Sequence, residues 1–338
     1  MSERNVLLDV LKGFAIFLVV MGHAIQYNQV DFDTNPVFRF IYSFHMPLFM
    51  FVSGFVSYKS FDGSKTKLLK RFKALIIPFW IWFFISYLFY SLYKFTGNSF
   101  EIYNFDNGLL SGIIEVLKSP DNKSLWFLWV LFLNYLVLFV SMKFNKRFEE
   151  VFMIVCLIVL YFINYIIGFK YLGIGLLCWY LPFYVMGYIC NKYIEKIHKP
   201  LYFIGYISLI LFPVLAFYWS RVGITPLAGL APALQGLISF CHRFVTGITG
   251  ILASYVLFGW LVSHFPKRMI ALDRLGGITL EVYCMHYYFL YLIVLLSGVV
   301  LPVKIVLTFI FALTGSIILK KIIYRSPKAT RLLFNKKI

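Results

Sequence analysis

Asp9, Lys12 and His23 carry the first chemical signal in this chain. If residues 6–27 form one helix, steps of 100° per residue bring Lys12 and His23 to within about 20° of each other, and Asp9 to within about 40° of His23. All three point the same way. Along the axis the ammonium and the imidazole lie about 16 Å apart, at 1.5 Å per residue. An ionisable group inside an apolar helix costs free energy unless it has a partner, a wet cavity or a place near the helix end. An imidazole aligned with the other polar groups of its helix therefore points to chemistry, and acid–base work is what imidazole does near neutrality.

Further titratable groups lie in later apolar runs. His45 belongs to Phe-His-Met-Pro-Leu-Phe at 44–49, where Pro47 is expected to free a carbonyl and kink the helix. Glu281 and His286 share a late run, but five residues place them about 140° apart, on different faces. His45 and Glu281 join the candidate site, and His286 ranks below them. His198, His242 and His264 fall in loops or at helix edges and are read as structural. The basic run Lys65, Lys67, Lys70, Arg71, Lys73 is accounted for by topology and anionic lipid; its functional version grips phosphates.

Of the 338 residues, 61% are apolar or aromatic and 14% are charged. Soluble domains are far more polar, so a soluble enzyme, a disulfide scaffold, a nucleic-acid module and a disordered tail are excluded. Ten runs are long enough to cross a bilayer: 6–27, 37–58, 74–93, 124–142, 151–169, 171–190, 201–220, 244–263, 275–296 and 303–319. The expected fold is all-α and polytopic, a single transmembrane domain over 1–338, with a basic tail at 320–338. Most of the 32 Lys and Arg fall in pieces on one side if both termini are cytoplasmic, as the positive-inside rule asks, and this accounts for the net charge of +18. The first run has no cleavage site and is expected to be retained. Residues 222–242, uncharged and rich in Gly and Pro, suit a loop or a re-entrant segment. The loop at 94–123 carries Asn98, Asn104 and Asn107 beside Tyr103 and Phe105, a surface suited to a polar ligand or simply to solvent. The 5 cysteines show no metal spacing, and no metal is expected.

With these motifs in place, LDVLKGFAIFLVVMGH (8–23) resembles the opening of the acyltransferase 3 family of membrane acyltransferases, whose first helix has a basic residue, ten positions, then His. FHMPLFMFVSGF (44–55) is similar to the second-helix signature of its fucose 4-O-acetylase-like subgroup. LLKRFKALIIPFW (68–80), SLWFLWVLF (124–132) and LGGITLEVYCMHYYFL (275–290) resemble later landmarks, in the family's order. Two departures stand out: Lys replaces the common Arg at position 12, and the family's Arg-x-x-Arg maps onto Arg71-Phe-Lys-Ala74, with Lys73 nearby.

The resemblance implies transfer of an acyl group, usually acetyl from acetyl-CoA, to a hydroxyl of an extracytoplasmic or lipid-linked glycan. It implies a multi-pass protein of the bacterial inner membrane, working among membrane lipids and without nucleic acid. Lys12, Lys70, Arg71 and Lys73 would then bind the donor, with Asp9 beside its path. His23 would act as general base or carry the acyl group covalently. His45 would orient His23 or the acceptor, and Glu281 would neutralise Lys12. A transporter of glycans or polar lipids is the competing class, and a non-catalytic scaffold a third. Transporters place sites on broken helices in repeated halves, whereas this chain puts its best constellation on one continuous helix.

Overall fold

Hydrocarbon offers no water to a backbone polar group, so apolar runs close their hydrogen bonds within helices. The computed structural model describes residues 5–94, 105, 108–118, 125–221, 231–293 and 298–336, and shows helices joined by short connections, with no strand among them. In chain order these are α1 (Val6–Asn28), a 3-10 turn (Phe32–Thr34), α2 (Pro36–Tyr42), α3 (His45–Ser60), α4 (Lys65–Lys94), α5 (Leu109–Lys118) and α6 (Trp126–Phe144). Then come α7 (Glu149–Tyr161), prolonged by a π turn (Phe162–Ile166), α8 (Ile174–Lys192), α9 (Ile194–Phe217) and α10 (Pro232–His264). The chain closes with α11 (Pro266–Gly276), α12 (Thr279–Ile293), α13 (Leu301–Ile323) and α14 (Pro327–Phe334). Among the described residues 9 spans are long and apolar enough to cross a membrane, α2 and α3 together making one of them. α12 corresponds to the expected run at 275–296.

α1 is central, packed by α2, α3, α10, α11, α12 and α13. α7, α9 and α13 lie outermost and turn Ile158, Ile210, Phe217 and Ile310 outward, as a lipid-facing helix should. Small residues set the closest approaches. A Cβ at Gly13 would overlap the Leu272 carbonyl and one at Gly276 the Asp9 carbonyl, so α11 lies backbone to backbone on α1. Buried hydroxyls turn back on their own helices, as in Ser57 to Ser53 O at 2.7 Å and Ser254 to Gly250 O at 2.7 Å, which satisfies them without water.

Several expectations are corrected. The run at 37–58 is not one kinked helix: it breaks at Ser43–Phe44, before Pro47. Asn35 caps α2 through bonds to the Val37 and Phe38 amides, and Pro36 follows as its first residue. Pro47 then falls in the first turn of α3, where a missing N–H removes no helical bond. The basic run at 65–73, outside the expected span at 74–93, is continuous with it as the start of α4. Of the uncertain segment 222–242, residues 222–230 lie outside the described residues, and Pro232 onward is continuous helix with the expected 244–263 span. Asn98, Tyr103, Asn104 and Asn107 also lie outside the described residues. Phe105 is buried against Phe83 and Tyr87, an apolar contact rather than a ligand surface.

Candidate active site

Two histidines from helices far apart in sequence meet in the bundle. His23 Nδ1 lies 2.9 Å from His286 Nε2, and the rings are nearly parallel, 9° apart with centroids at 5.1 Å. His286 Nδ1 faces the Val282 carbonyl at 3.0 Å, and Tyr287 Oη lies 2.9 Å from His23 Nε2. These contacts assign the protons. A carbonyl only accepts, so His286 Nδ1 carries hydrogen. With both rings neutral, His286 Nε2 then accepts from His23 Nδ1–H. His23 Nε2 is left with its lone pair, to which the Tyr287 phenol donates. His286 is fully buried, whereas His23 is half-buried. The basic nitrogen sits at the more open end of the chain of bonds.

The neighbouring helices hold this arrangement. α1 and α12 run in the same direction, since α11, which leads into α12, abuts Asp9 and Gly13, while His286 meets His23 further along. α12 is tied on its other side by Tyr283, whose hydroxyl accepts from the Phe127 amide at 3.3 Å, and by Tyr288, bonded to Ser86 Oγ at 2.8 Å and Trp82 O at 3.3 Å. His286 and Tyr287, between them in sequence, are left to face α1. Across the site Gly22 admits the Tyr42 ring: a Cβ there would come within 2.7 Å of it. Tyr42 donates to Gln26 Oε1 at 2.9 Å, and its ring centroid lies 6.4 Å from that of His23.

His45 lies behind Tyr42, with ring centroids 4.8 Å apart, and bonds through Nδ1 to the Ile41 carbonyl at 2.8 Å. It therefore closes the gap where α2 stops, supplying a donor to a carbonyl at a helix end. The structure places it near His23 but joins the two only through Tyr42. Lys12 and Asp9 form an ion pair at 2.9 Å with side chains 29% and 18% exposed, so the pair opens to one end of the bundle. Arg71 reaches the same end. Its guanidinium bonds Ser60 Oγ at 2.8 Å and lies 4.8 Å over the Tyr135 ring, while Lys70 and Lys73 are exposed.

Glu281 does not neutralise Lys12. Its carboxylate is fully buried and accepts from Lys336 Nζ at 2.6 Å and from the Tyr324 hydroxyl. The tail is thus folded back rather than free: α14 buries Phe334 against Trp82, whose indole donates to Leu333 O at 3.2 Å. Removing one partner of a buried ion pair strands the other charge. Lys336→Met should lower stability by about 2–3 kcal/mol, discounted because Lys336 is 38% exposed. Glu281→Gln with Lys336→Met should recover most of the loss in thermal denaturation of the detergent-solubilised protein.

Sequence reasoning placed His286 below the other candidates and missed Tyr287 and Tyr42. The only signal available was the consecutive polar run His286-Tyr287-Tyr288, which no single helical face can absorb. Among the described residues no group of three His, Cys, Asp or Glu is placed to hold a metal ion.

Comparison with known sequences places the chain in a family. The acyltransferase domain profile of the acyltransferase 3 family matches residues 5–321. The chain belongs to the acyltransferase 3 family. This acyltransferase 3 chain is also similar to the nodulation protein NolL of Sinorhizobium fredii, 27% identical over 199 residues, covering 58% of this chain and 51% of that protein. A NolL of Mesorhizobium japonicum is 30% identical over 154 residues, covering 43% of this chain and 38% of that protein. The chain thus spans about half or less of the curated relatives it matches. No solved structure matches it.

Proposed function

We propose that this multi-pass membrane acyltransferase moves an acetyl group from cytoplasmic acetyl-CoA to a hydroxyl of an extracytoplasmic or lipid-linked glycan. In this reading it lies in a bacterial plasma membrane with both termini cytoplasmic. The observation that carries the proposal is the chain of contacts from Val282 O through His286 and His23 to Tyr287, which leaves the lone pair on His23 Nε2.

The acceptor hydroxyl takes the place of the Tyr287 phenol on His23 Nε2 and gives up its proton there. Its oxygen attacks the thioester carbonyl carbon. The tetrahedral intermediate collapses with loss of the CoA thiolate, which takes the proton back from His23. The products are the ester and free CoA. Tyr287, displaced by one hydrogen-bond length, offers its O–H to the developing oxyanion. The donor enters at the end marked by Lys12 and Asp9, where Arg71 binds phosphate, and its extended arm spans the roughly 16 Å from Lys12 to His23. Arg71 stands in the family's first Arg position and is held by Ser60 and Tyr135. The lysines at 70 and 73 add exposed positive charge at the entrance.

Reconstituted vesicles given labelled acetyl-CoA on the Lys12 side and a glycan extract on the other should accumulate acetylated glycan, read by mass spectrometry. Arg71→Ala should raise KM for acetyl-CoA about tenfold with a smaller change in kcat, since a charged hydrogen bond to phosphate is lost in ground and transition state alike. Donor accepted only from the other side would refute the direction. No donor-dependent acylation at all would refute the enzyme.

A further inference from the structure

At the end of the bundle where α1 finishes, two arginines stand together without acidic partners among the described residues. Arg221, just beyond α9, is exposed. Its guanidinium carbon lies 5.4 Å from the centroid of Tyr42, 5.5 Å from that of Phe32 and 5.9 Å from that of Phe38. Arg243, on α10, is 4.8 Å from the Trp179 centroid and 5.9 Å from that of Trp219, and its Nη1 donates to the Arg221 carbonyl at 3.4 Å. The Nε–H of Arg243 is buried and has no hydrogen-bond partner.

The ion pairs formed among the described residues all lie elsewhere, and no described carboxylate lies within 4.0 Å of either guanidinium. Asp33 forms no ion pair with either; its backbone carbonyl accepts from Arg39 Nε at 2.6 Å, and its Oδ1 is unbonded. Two like charges side by side repel, and an unpaired donor in a buried place costs free energy. Stacking on aromatic rings offsets part of that cost while leaving the N–H fork open. Such a fork matches the two oxygens of a carboxylate or phosphate. Tyr42 connects it to the chemistry, since the same ring that carries Arg221 lies against His23.

We propose that Arg221 and Arg243 bind an oxyanion on the acceptor, carboxylate or phosphate, so that the glycan this enzyme acylates is acidic. The proposal rests on the acyl-transfer reading above and adds the acceptor's charge. The anion docks on the arginine pair while a hydroxyl nearby in the same saccharide reaches His23 Nε2. A neutral sugar of the same shape leaves both guanidinium groups unpaired.

The full chain, in phosphatidylcholine nanodiscs, is titrated by calorimetry and by tryptophan fluorescence, which Trp179 and Trp219 make sensitive to Arg243. The probes are a neutral disaccharide, its hexuronate analogue and its phosphomonoester. At least one anionic probe should bind about tenfold or more tightly than the neutral one, the scale of a charge-assisted contact. Which of the two does so identifies the anion. The preference should vanish in R221Q/R243Q and survive in part in R221K/R243K, which keeps charge without the fork. It should persist in His23→Ala, because binding needs no base, so failure of the catalytic reading and failure of this one are read separately. Equal binding of all three probes would overturn the proposal, as would a preference unchanged in R221Q/R243Q. Loss of the preference in phosphatidylglycerol discs would give the pair to a lipid headgroup, and coenzyme A binding that needs both arginines would make this end the donor's. Either result also overturns it.

Discussion

His23→Ala should lower kcat for acetyl transfer by about 10²–10⁴-fold, the range that a positioned general base supplies. The acceptor hydroxyl is a poor nucleophile with its proton in place, and His23 Nε2 is the unprotonated nitrogen at the open end of the His286–His23–Tyr287 chain. Acetyl-CoA affinity should change little, since Lys12 lies about 16 Å away along α1 and the other groups assigned to the donor are on α4. Labelled transfer in vesicles measures the first quantity and calorimetry the second. Full transfer by His23→Ala would remove His23 from the chemistry. Loss of donor binding together with transfer would instead mean that the substitution had damaged the bundle.

The alignment of Asp9, Lys12 and His23 was legible because it depends on one helix and its 3.6-residue period, properties that a short stretch of sequence carries by itself. The apolar runs were legible for the same reason, since membrane length sets each helix separately. What needs two helices was not. Nothing local states that His286 will arrive opposite His23, because that register follows from how α11 lies on α1 and how Tyr283 and Tyr288 hold α12. The angular argument did separate Glu281 from His286 correctly: one faces Lys336 and Tyr324, the other His23. Pairing Glu281 with Lys12 failed because the available cation came from a tail 55 residues further on. Pro47 was misread because a proline kinks a helix only in its interior, and Asn35-Pro36 had already set up an earlier short helix that ends at Tyr42. Tyr42 carried no signal in a chain whose aromatic content is 20%, and Tyr287 only its place in the polar run 286–288. Their significance is entirely spatial.

The second large effect is expected at His286, and its form tests how His23 is prepared. In the proposed mechanism His286 does not touch substrate and acts as a positioning residue. Its Nδ1–H is committed to the Val282 carbonyl, so its Nε2 can only accept, and that obliges His23 to carry hydrogen on Nδ1 and the lone pair on Nε2. Without the acceptor, neutral His23 is free to hold its proton on either nitrogen and to rotate. Each departure leaves fewer molecules with a base aimed at the hydroxyl. His286→Ala should therefore lower kcat about 10–100-fold while KM for donor and acceptor stays within about twofold, because the loss falls on orientation for the chemical step. His286→Gln places a carbonyl oxygen where Nε2 was and should recover part of kcat, whereas His286→Leu, similar in bulk but with no acceptor, should not. A merely packing role predicts the reverse order, with Leu the better replacement. In the rate data, Gln above Leu would support the orienting bond, and Leu equal to or above Gln would eliminate it.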